Sequence, residues 1–168
     1  NCFDKLENGE IDVMGDISYT AERAQKMLFS EKPMGEENYI LYADLSNTDI
    51  VTTDIKSLNG KRVGVLMGTE PEIMLTEWEN KNGIHTEHVN VSNNDDVEKK
   101  LANHEIDCFV SLEESIWSEQ GISSVTNVGQ SDIYFVINKE QSDIKTEMDY
   151  AMRQLDQDSP FFKADLYK

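Results

Sequence analysis

The sequence predicts an α/β protein, and two observations carry that reading. Short apolar runs alternate with stretches of helical periodicity, the pattern of parallel strands joined by crossover helices. One unit also occurs twice: Leu6-Glu-Asn-Gly-Glu-Ile-Asp returns as Leu101-Ala-Asn-His-Glu-Ile-Asp, 95 positions on. Each copy leads through an apolar strand into a polar loop, Asp16-Ile-Ser-Tyr-Thr in the first and Ser111-Leu-Glu-Glu-Ser in the second. Two copies imply two similar lobes, each offering a strand end, and small ligands sit at the strand ends of open α/β sheets.

The elements follow in order. Phe3 and Leu6 lie on one face of a helix over 1–8 that Gly9 stops. Residues 11–17 read as a strand. Thr20 caps a short helix through Lys26, with Glu22 in its first turn. A strand over 39–45 precedes a polar crossing segment, 46–54. The next strand, 61–67, centres on Val63-Gly-Val-Leu-Met. Thr69 and Glu72 then fit a capping box, and Pro71 suits the first turn of a helix that ends at Asn82-Gly83. A strand over 85–91, a helix over 94–103 and a strand over 106–112 complete the middle of the chain. Two further strands are expected, 125–128 and 132–138. A helix over 142–157 carries Ile144, Met148, Ala151, Met152 and Leu155 at helical spacing. A last short helix is expected over 159–167.

Composition narrows the function. The net charge is −18, from 33 acids against 15 Lys and Arg. Such a field repels phosphate backbones and anionic membrane surfaces, which sets nucleic acid aside. An apolar content of 38% and a mean hydropathy of −0.56 fit a globular chain. No run approaches the ~18 apolar residues of a membrane span. Asn1 reads as mid-domain, with no secretory signal ahead of the first helix. Cys2 and Cys108 do not form a disulfide framework, and Cys108 reads as a buried thiol. The methionines, notably Met14, Met67, Met74, Met148 and Met152, read as core filling, and Trp78 and Trp117 as packing. His85, His88 and His104 are scattered, so no metal site is expected. No nucleophile triad and no Gly-rich phosphate loop appears, and no cofactor is expected.

The order and spacing of several segments resemble a known family. They are Gly9-Glu-Ile-Asp with Ile17-Ser-Tyr-Thr-Ala-Glu-Arg23, Phe29-Ser30 and Pro33; Leu58-Asn-Gly-Lys-Arg-Val-Gly-Val-Leu-Met-Gly-Thr69; the pair over 101–107; and Asp158-Ser-Pro-Phe-Phe-Lys-Ala-Asp-Leu-Tyr167. Together they are similar to the bacterial extracellular solute-binding proteins of family 3, the periplasmic amino-acid-binding type. The resemblance implies a two-lobed periplasmic-binding-protein-like fold of type II, with two hinge strands and a solute held between lobes. The first lobe would be 1–44 with 132–168, and the second 45–131. Relatives usually carry two further strand–helix units ahead of this starting point, about 60 residues at ~30 per unit. The first lobe is therefore expected to be partial and the second complete.

The resemblance also assigns candidate site residues. Arg23, in the Thr-x-x-Arg pattern, would clamp a solute carboxylate, since a guanidinium matches two carboxylate oxygens with two parallel donors. The plainer reading is a surface arginine paired with one of many acids. Ser18 matches a solute-contacting position on the same loop, and Asp16 a position often Ser or Gly. Thr69 and Glu70 open a helix whose free N–H groups favour anions. Glu70 stands where relatives often have Ser or Thr. The strand-end aspartate that holds a ligand ammonium falls on Leu112, so Glu113 is the candidate by a one-residue shift. In the internal repeat Glu113 aligns with Ser18.

These residues imply a non-catalytic, extracytoplasmic binding domain for a small carboxylated solute, plausibly an amino acid. Its use is expected to be as the sensor domain of a membrane signalling protein, periplasmic or at the cell surface and membrane-tethered in the full protein. The alternative is the solute-binding component of an ABC importer, with a permease as partner. A second copy of the chain is a further candidate partner. Two rivals are a dehydratase-like enzyme, for which Asp16, Glu70 and Glu113 are the acids in position, and a non-binding assembly domain.

Overall fold

The structure, a computed structural model, describes residues 2–44, 46–113 and 116–159. The expected helix over 159–167 lies almost wholly outside them. The chain divides into two compact units, Asn1–Glu36 with Ser131–Lys168, and Glu37–Gln130.

The first unit opens with helix α1 (Cys2–Glu7), strand β1 (Val13–Ser18), helix α2 (Ala21–Lys26) and strand β2 (Met27–Phe29). Gly9 ends α1 in the left-handed region, φ +74. Thr20 caps α2 as the sequence predicts, its Oγ1 accepting the Arg23 N–H at 3.1 Å. β1 and β2 both pair antiparallel with β7 (Ile122–Asn138), over its residues 133–138. Helix α6 (Ser142–Asp158) follows. The core here is Leu6, Ile17, Met27 and Val136, with Phe3, Met14 and Phe29 against it.

The second unit contains most of strand β3 (Gly35–Asp44), a 3₁₀ turn (Ile55–Leu58), strand β4 (Arg62–Val65), helix α3 (Glu70–Asn82) and strand β5 (Glu87–Asn90). Helix α4 (Asn94–Ala102), strand β6 (Cys108–Leu112) and a four-residue helix α5 (Ile116–Glu119) complete it. β4 pairs parallel with β5 on one side and with β6 on the other, and β6 pairs antiparallel with β3. Both faces of this sheet are covered, and β3 shows it by alternation. Tyr39, Leu41 and Ala43 join Leu58, Val63, Val65 and Leu75 on one face. Ile40 and Tyr42 join Val97, Phe109 and Trp117 on the other. Each fully buried large side chain contributes about 1.5–3 kcal/mol. Cys108 lies in this core, and burial pushes its thiol up to about 12, so it is inert at neutral pH.

The internal repeat is a repeat of backbone structure. After α1, Gly9 N–H donates to Leu6 O, and Glu10 and Ile11 both donate to Lys5 O. After α4, His104 donates to Leu101 O, and Glu105 and Ile106 both donate to Lys100 O. His104 has φ +56, so it occupies the left-handed position that Gly9 fills in the first copy. Asp107, the counterpart of Asp12, then ties β6 to β4. Its carboxylate accepts Arg62 N–H at 2.8 Å, Nε at 3.1 Å and Nη2 at 2.8 Å.

Several expectations need correction. The first unit's strands are antiparallel, whereas the alternation of elements predicted parallel pairs throughout. β2 was not visible, because Met27-Leu28-Phe29 follows α2 with no turn signal. The two strands expected at 125–128 and 132–138 are one strand of 17 residues. Gly129 looks like a break, yet a Cβ there would stand 2.7 Å from Met74 Sδ. It is a place of close packing within a strand. Residues 37–44 cluster with the second unit, where the sequence placed them in the first, because Tyr39, Leu41 and Ala43 pack in the second unit's core. Met67 is exposed rather than core.

Two outcomes test this account. A left-handed L-residue is held at a cost of about 1–2 kcal/mol, partly offset by the chain entropy that a glycine adds to the unfolded state. His104→Gly should therefore stabilise by about 0.5 kcal/mol and Gly9→Ala should destabilise by about 1 kcal/mol in denaturant titrations. The hydrogen bonds from Arg62 hold Asp107 below the usual carboxylate range. That stability is present above the ordinary value of ~3.9 and is lost as pH falls through the lowered one. Asp107→Asn should cost most at neutral pH, and its difference from wild type should shrink in acid.

Candidate functional site

The six sequence-predicted residues fall three to each unit. In the first, β1 ends at Ser18, and α2 begins three residues later. Arg23 folds back over its own helix start: Nη1 donates to Ser18 O at 2.9 Å, and the guanidinium carbon lies 5.2 Å from the centre of the Phe3 ring. The arginine is thus held on the strand end and half-buried, with one of its five N–H donors engaged by Ser18. A shallow groove lined by Phe3, Asp4, Glu7, Thr20, Arg23 and Lys26 runs beside it.

Asp16 is exposed and sits on a bulge. Between Met14↔Val136 and Ile17↔Tyr134, β1 carries one residue more than β7. Asp16 adopts φ +57, and its N–H points to Met34 Sδ at 3.3 Å. Bulges re-aim side chains and are found next to binding sites. Tyr19, which follows Ser18, is 57% exposed, and its ring packs edge-on against Phe29 at 5.0 Å.

In the second unit the strand order places the site. From β4 the chain crosses by α3 to β5 on one side, then by α4 to β6 on the other. The order reverses between β4 and β6, and ligands of open α/β sheets bind outside the carboxyl ends of strands at such a point. Thr69 and Glu70 lie just beyond the end of β4, and Glu113 just beyond the end of β6. The antiparallel start of β3 reaches the same edge, with Tyr39 opposite Leu112.

The capping box expected of Thr69 and Glu72 does not form, and both side chains bond to the residues ahead of the helix instead. Thr69 is the N-cap residue, but its hydroxyl donates back to Leu66 O and caps no helix N–H. Glu72 reaches back and accepts the Gly68 N–H at 2.6 Å. Glu113 accepts from Asn38 Nδ2 at 2.9 Å, and Asn38 Oδ1 in turn accepts from Asn127 Nδ2 at 3.1 Å. Sequence reading missed Glu37, Asn38, Tyr39 and Asn127. The polar opening of β3, Glu36-Glu37-Asn38 ahead of an apolar run, was the available signal. The Tyr39 hydroxyl donates to Glu37 Oε2 at 3.4 Å. Burial, then the charges of Glu37 and Glu70, push this phenol up to about 12. Among the described residues no group of three or more His, Cys, Asp or Glu is placed to hold a metal. Among the same residues no helix is long and apolar enough to cross a membrane.

The profile of the bacterial extracellular solute-binding proteins, family 3, matches residues 1–164. The chain belongs to this family. The histidine-binding periplasmic protein of Escherichia coli K12 is 35% identical over 103 residues, 61% of this chain and 38% of that protein. The matched stretch thus spans well under half of that curated relative. Among solved structures, the probable amino-acid ABC transporter extracellular-binding protein ytmK of Bacillus subtilis aligns with a TM-score of 0.78 at 20% identity, covering 98% of this chain and 73% of that one. The periplasmic VFT2 domain of Bordetella pertussis BvgS aligns at 0.71 and 14% identity, covering 99% and 72%. These likenesses establish the periplasmic-binding-protein-like fold of the family 3 chain.

Tyr39 should be the last tyrosine to ionise in an ultraviolet pH titration, near 12 against an ordinary 10. Tyr39→Phe should remove that step, and Glu37→Gln should move it down.

Proposed function

We propose that this family 3 chain is an extracytoplasmic binding domain for a small carboxylated solute, an amino acid by preference, and not an enzyme. The observation that carries the reading is the family match over residues 1–164, with the Thr-x-x-Arg motif standing on a strand-end loop. Arg23 takes the solute carboxylate in this reading, and Ser18 and Asp16 line the same loop. In the second unit, backbone N–H groups near Thr69 and the carboxylates of Glu70 and Glu113 supply the contacts. The named ligand of the Escherichia coli relative, histidine, supports an amino acid as the solute.

We further assign the domain to a membrane signalling protein as its sensor, tethered outside the cytoplasm. The fold likeness to the BvgS periplasmic domain supports this use. Delivery of solute to an ABC importer is the second reading, favoured by the likeness to the ytmK binding protein. The gene region beyond residue 168 separates them: a membrane helix followed by a signalling domain means sensor.

Thermal unfolding against a panel of amino acids and small carboxylates tests the binding reading. A true solute at 100 times its Kd should stabilise the chain by about 2.7 kcal/mol. Loss of a charge-assisted hydrogen bond is worth about 1.5–3 kcal/mol, so Arg23→Ala should weaken binding by roughly 10- to 150-fold with the circular dichroism spectrum unchanged. An equal response in that variant would remove Arg23 from the site.

A further inference from the structure

The chain between β2 and β3, residues 30–34, forms a strap anchored at both ends on β7. Ser30 N–H donates to Phe135 O at 2.9 Å, and Met34 N–H to Ile133 O at 2.8 Å. On one side the strap is gripped by α6. Asp149 is a buried carboxylate, 7% exposed, and its Oδ1 accepts the Glu31 N–H at 2.7 Å. Arg153 pairs with Glu31, Lys32 with Asp156, and Lys145 holds Asp149 from the turn before. Positions 145, 149, 153 and 156 share one face of α6. On the other side the strap presents Met34. Its sulfur accepts the Asp16 N–H at 3.3 Å and lies 3.3 Å from where a Cβ on Gly15 would stand.

Asp16 is a non-glycine residue at φ +57. Such a conformation persists only where the surroundings impose it. The sulfur of Met34 is the partner that meets its N–H. We propose that Met34 and Asp149 are positioning residues for the 16–18 loop: α6 sets the strap, the strap sets Met34, and Met34 sets the bulge that presents Asp16. The inference deepens the proposed function, since it rests on that loop touching solute. By linkage, solute that fixes the loop also fixes the strap on α6, and a shift of α6 changes affinity by the same factor.

The test is amide hydrogen exchange and ¹⁵N NMR on the whole chain with Met34→Leu, Met34→Ala, Asp149→Ala and Asp149→Asn. Met34→Leu keeps the packing and removes the acceptor. Asp149→Asn keeps an acceptor for Glu31. Exchange at the Asp16 amide should quicken by about tenfold in the first three variants while Leu6 and Val136 keep wild-type protection. Asp149→Asn should restore the wild-type rate. If Asp149→Ala perturbs Glu31 but leaves Asp16 unchanged, or if all core amides quicken together, the proposal is overturned. Titration with L-histidine and L-arginine forms a separate arm. A wild-type chain that binds neither, with the Asp16 effect intact, counts against these solutes and leaves the strap standing. Binding that is unchanged in Met34→Leu counts against the strap alone.

Discussion

A helix cannot run straight into a strand; its last carbonyls need donors and the chain must reverse within a few residues. One left-handed residue solves this in both units, and the rest of each strand-end loop depends on it. With Gly9 or His104 at positive φ, the two following N–H groups fold back on one carbonyl of the helix. An aspartate then enters the strand, Asp12 in one copy and Asp107 in the other. Six residues on, Ser18 stands at the end of one strand and Glu113 just past the end of the other. The correspondence of bonds, position for position over an offset of 95 residues, is closer than the identity of the side chains. It shows that backbone geometry, more than sequence, is what the two units share. His104 bears a conformational cost that Gly9 does not.

Much of this was legible because each signal was local. Thr20 with Glu22, Pro71 with Asn82-Gly83, and the Leu6 and Leu101 repeats mark helix ends through bonds made within six residues. The candidate loops inherit that legibility, since they follow those ends. What stayed hidden was decided by distant partners. Residues 125–128 and 132–138 read as two strands, because the close packing of Met74 on Gly129, 55 positions away, leaves no local signal. Residues 37–44 read as part of the first lobe until their alternate side chains are found in the second unit's core. Met34 carries no sequence signal for its role, because nothing in the sequence reveals that its sulfur meets the N–H of Asp16.

The candidate residues of the two units are not electrostatically alike. In the first unit a guanidinium is braced on a carbonyl and an aromatic face, an arrangement that orders the side chain in advance. In the second unit the edge of the sheet is acidic. Glu37 and Glu70 both act on Tyr39, and Glu113 is fixed by Asn38.

That acidity revises the role of the α3 N-terminus. Free N–H groups at a helix start ordinarily favour an anion. Here Glu70 is the first residue of that helix, and Glu72, in the same turn, accepts the Gly68 N–H just ahead of the N-cap. A carboxylate arriving at Thr69 would approach Glu70, within the Debye length of ~8 Å over which charges act at physiological salt. An ammonium meets the opposite field: Glu70 and Glu113 attract it, and Asn38 holds Glu113 at the strand end. On the second unit, taken by itself, the balance of charge at this edge favours a cationic group over an anionic one. These acids offset the preference for an anion that the helix N-terminus alone gives Thr69.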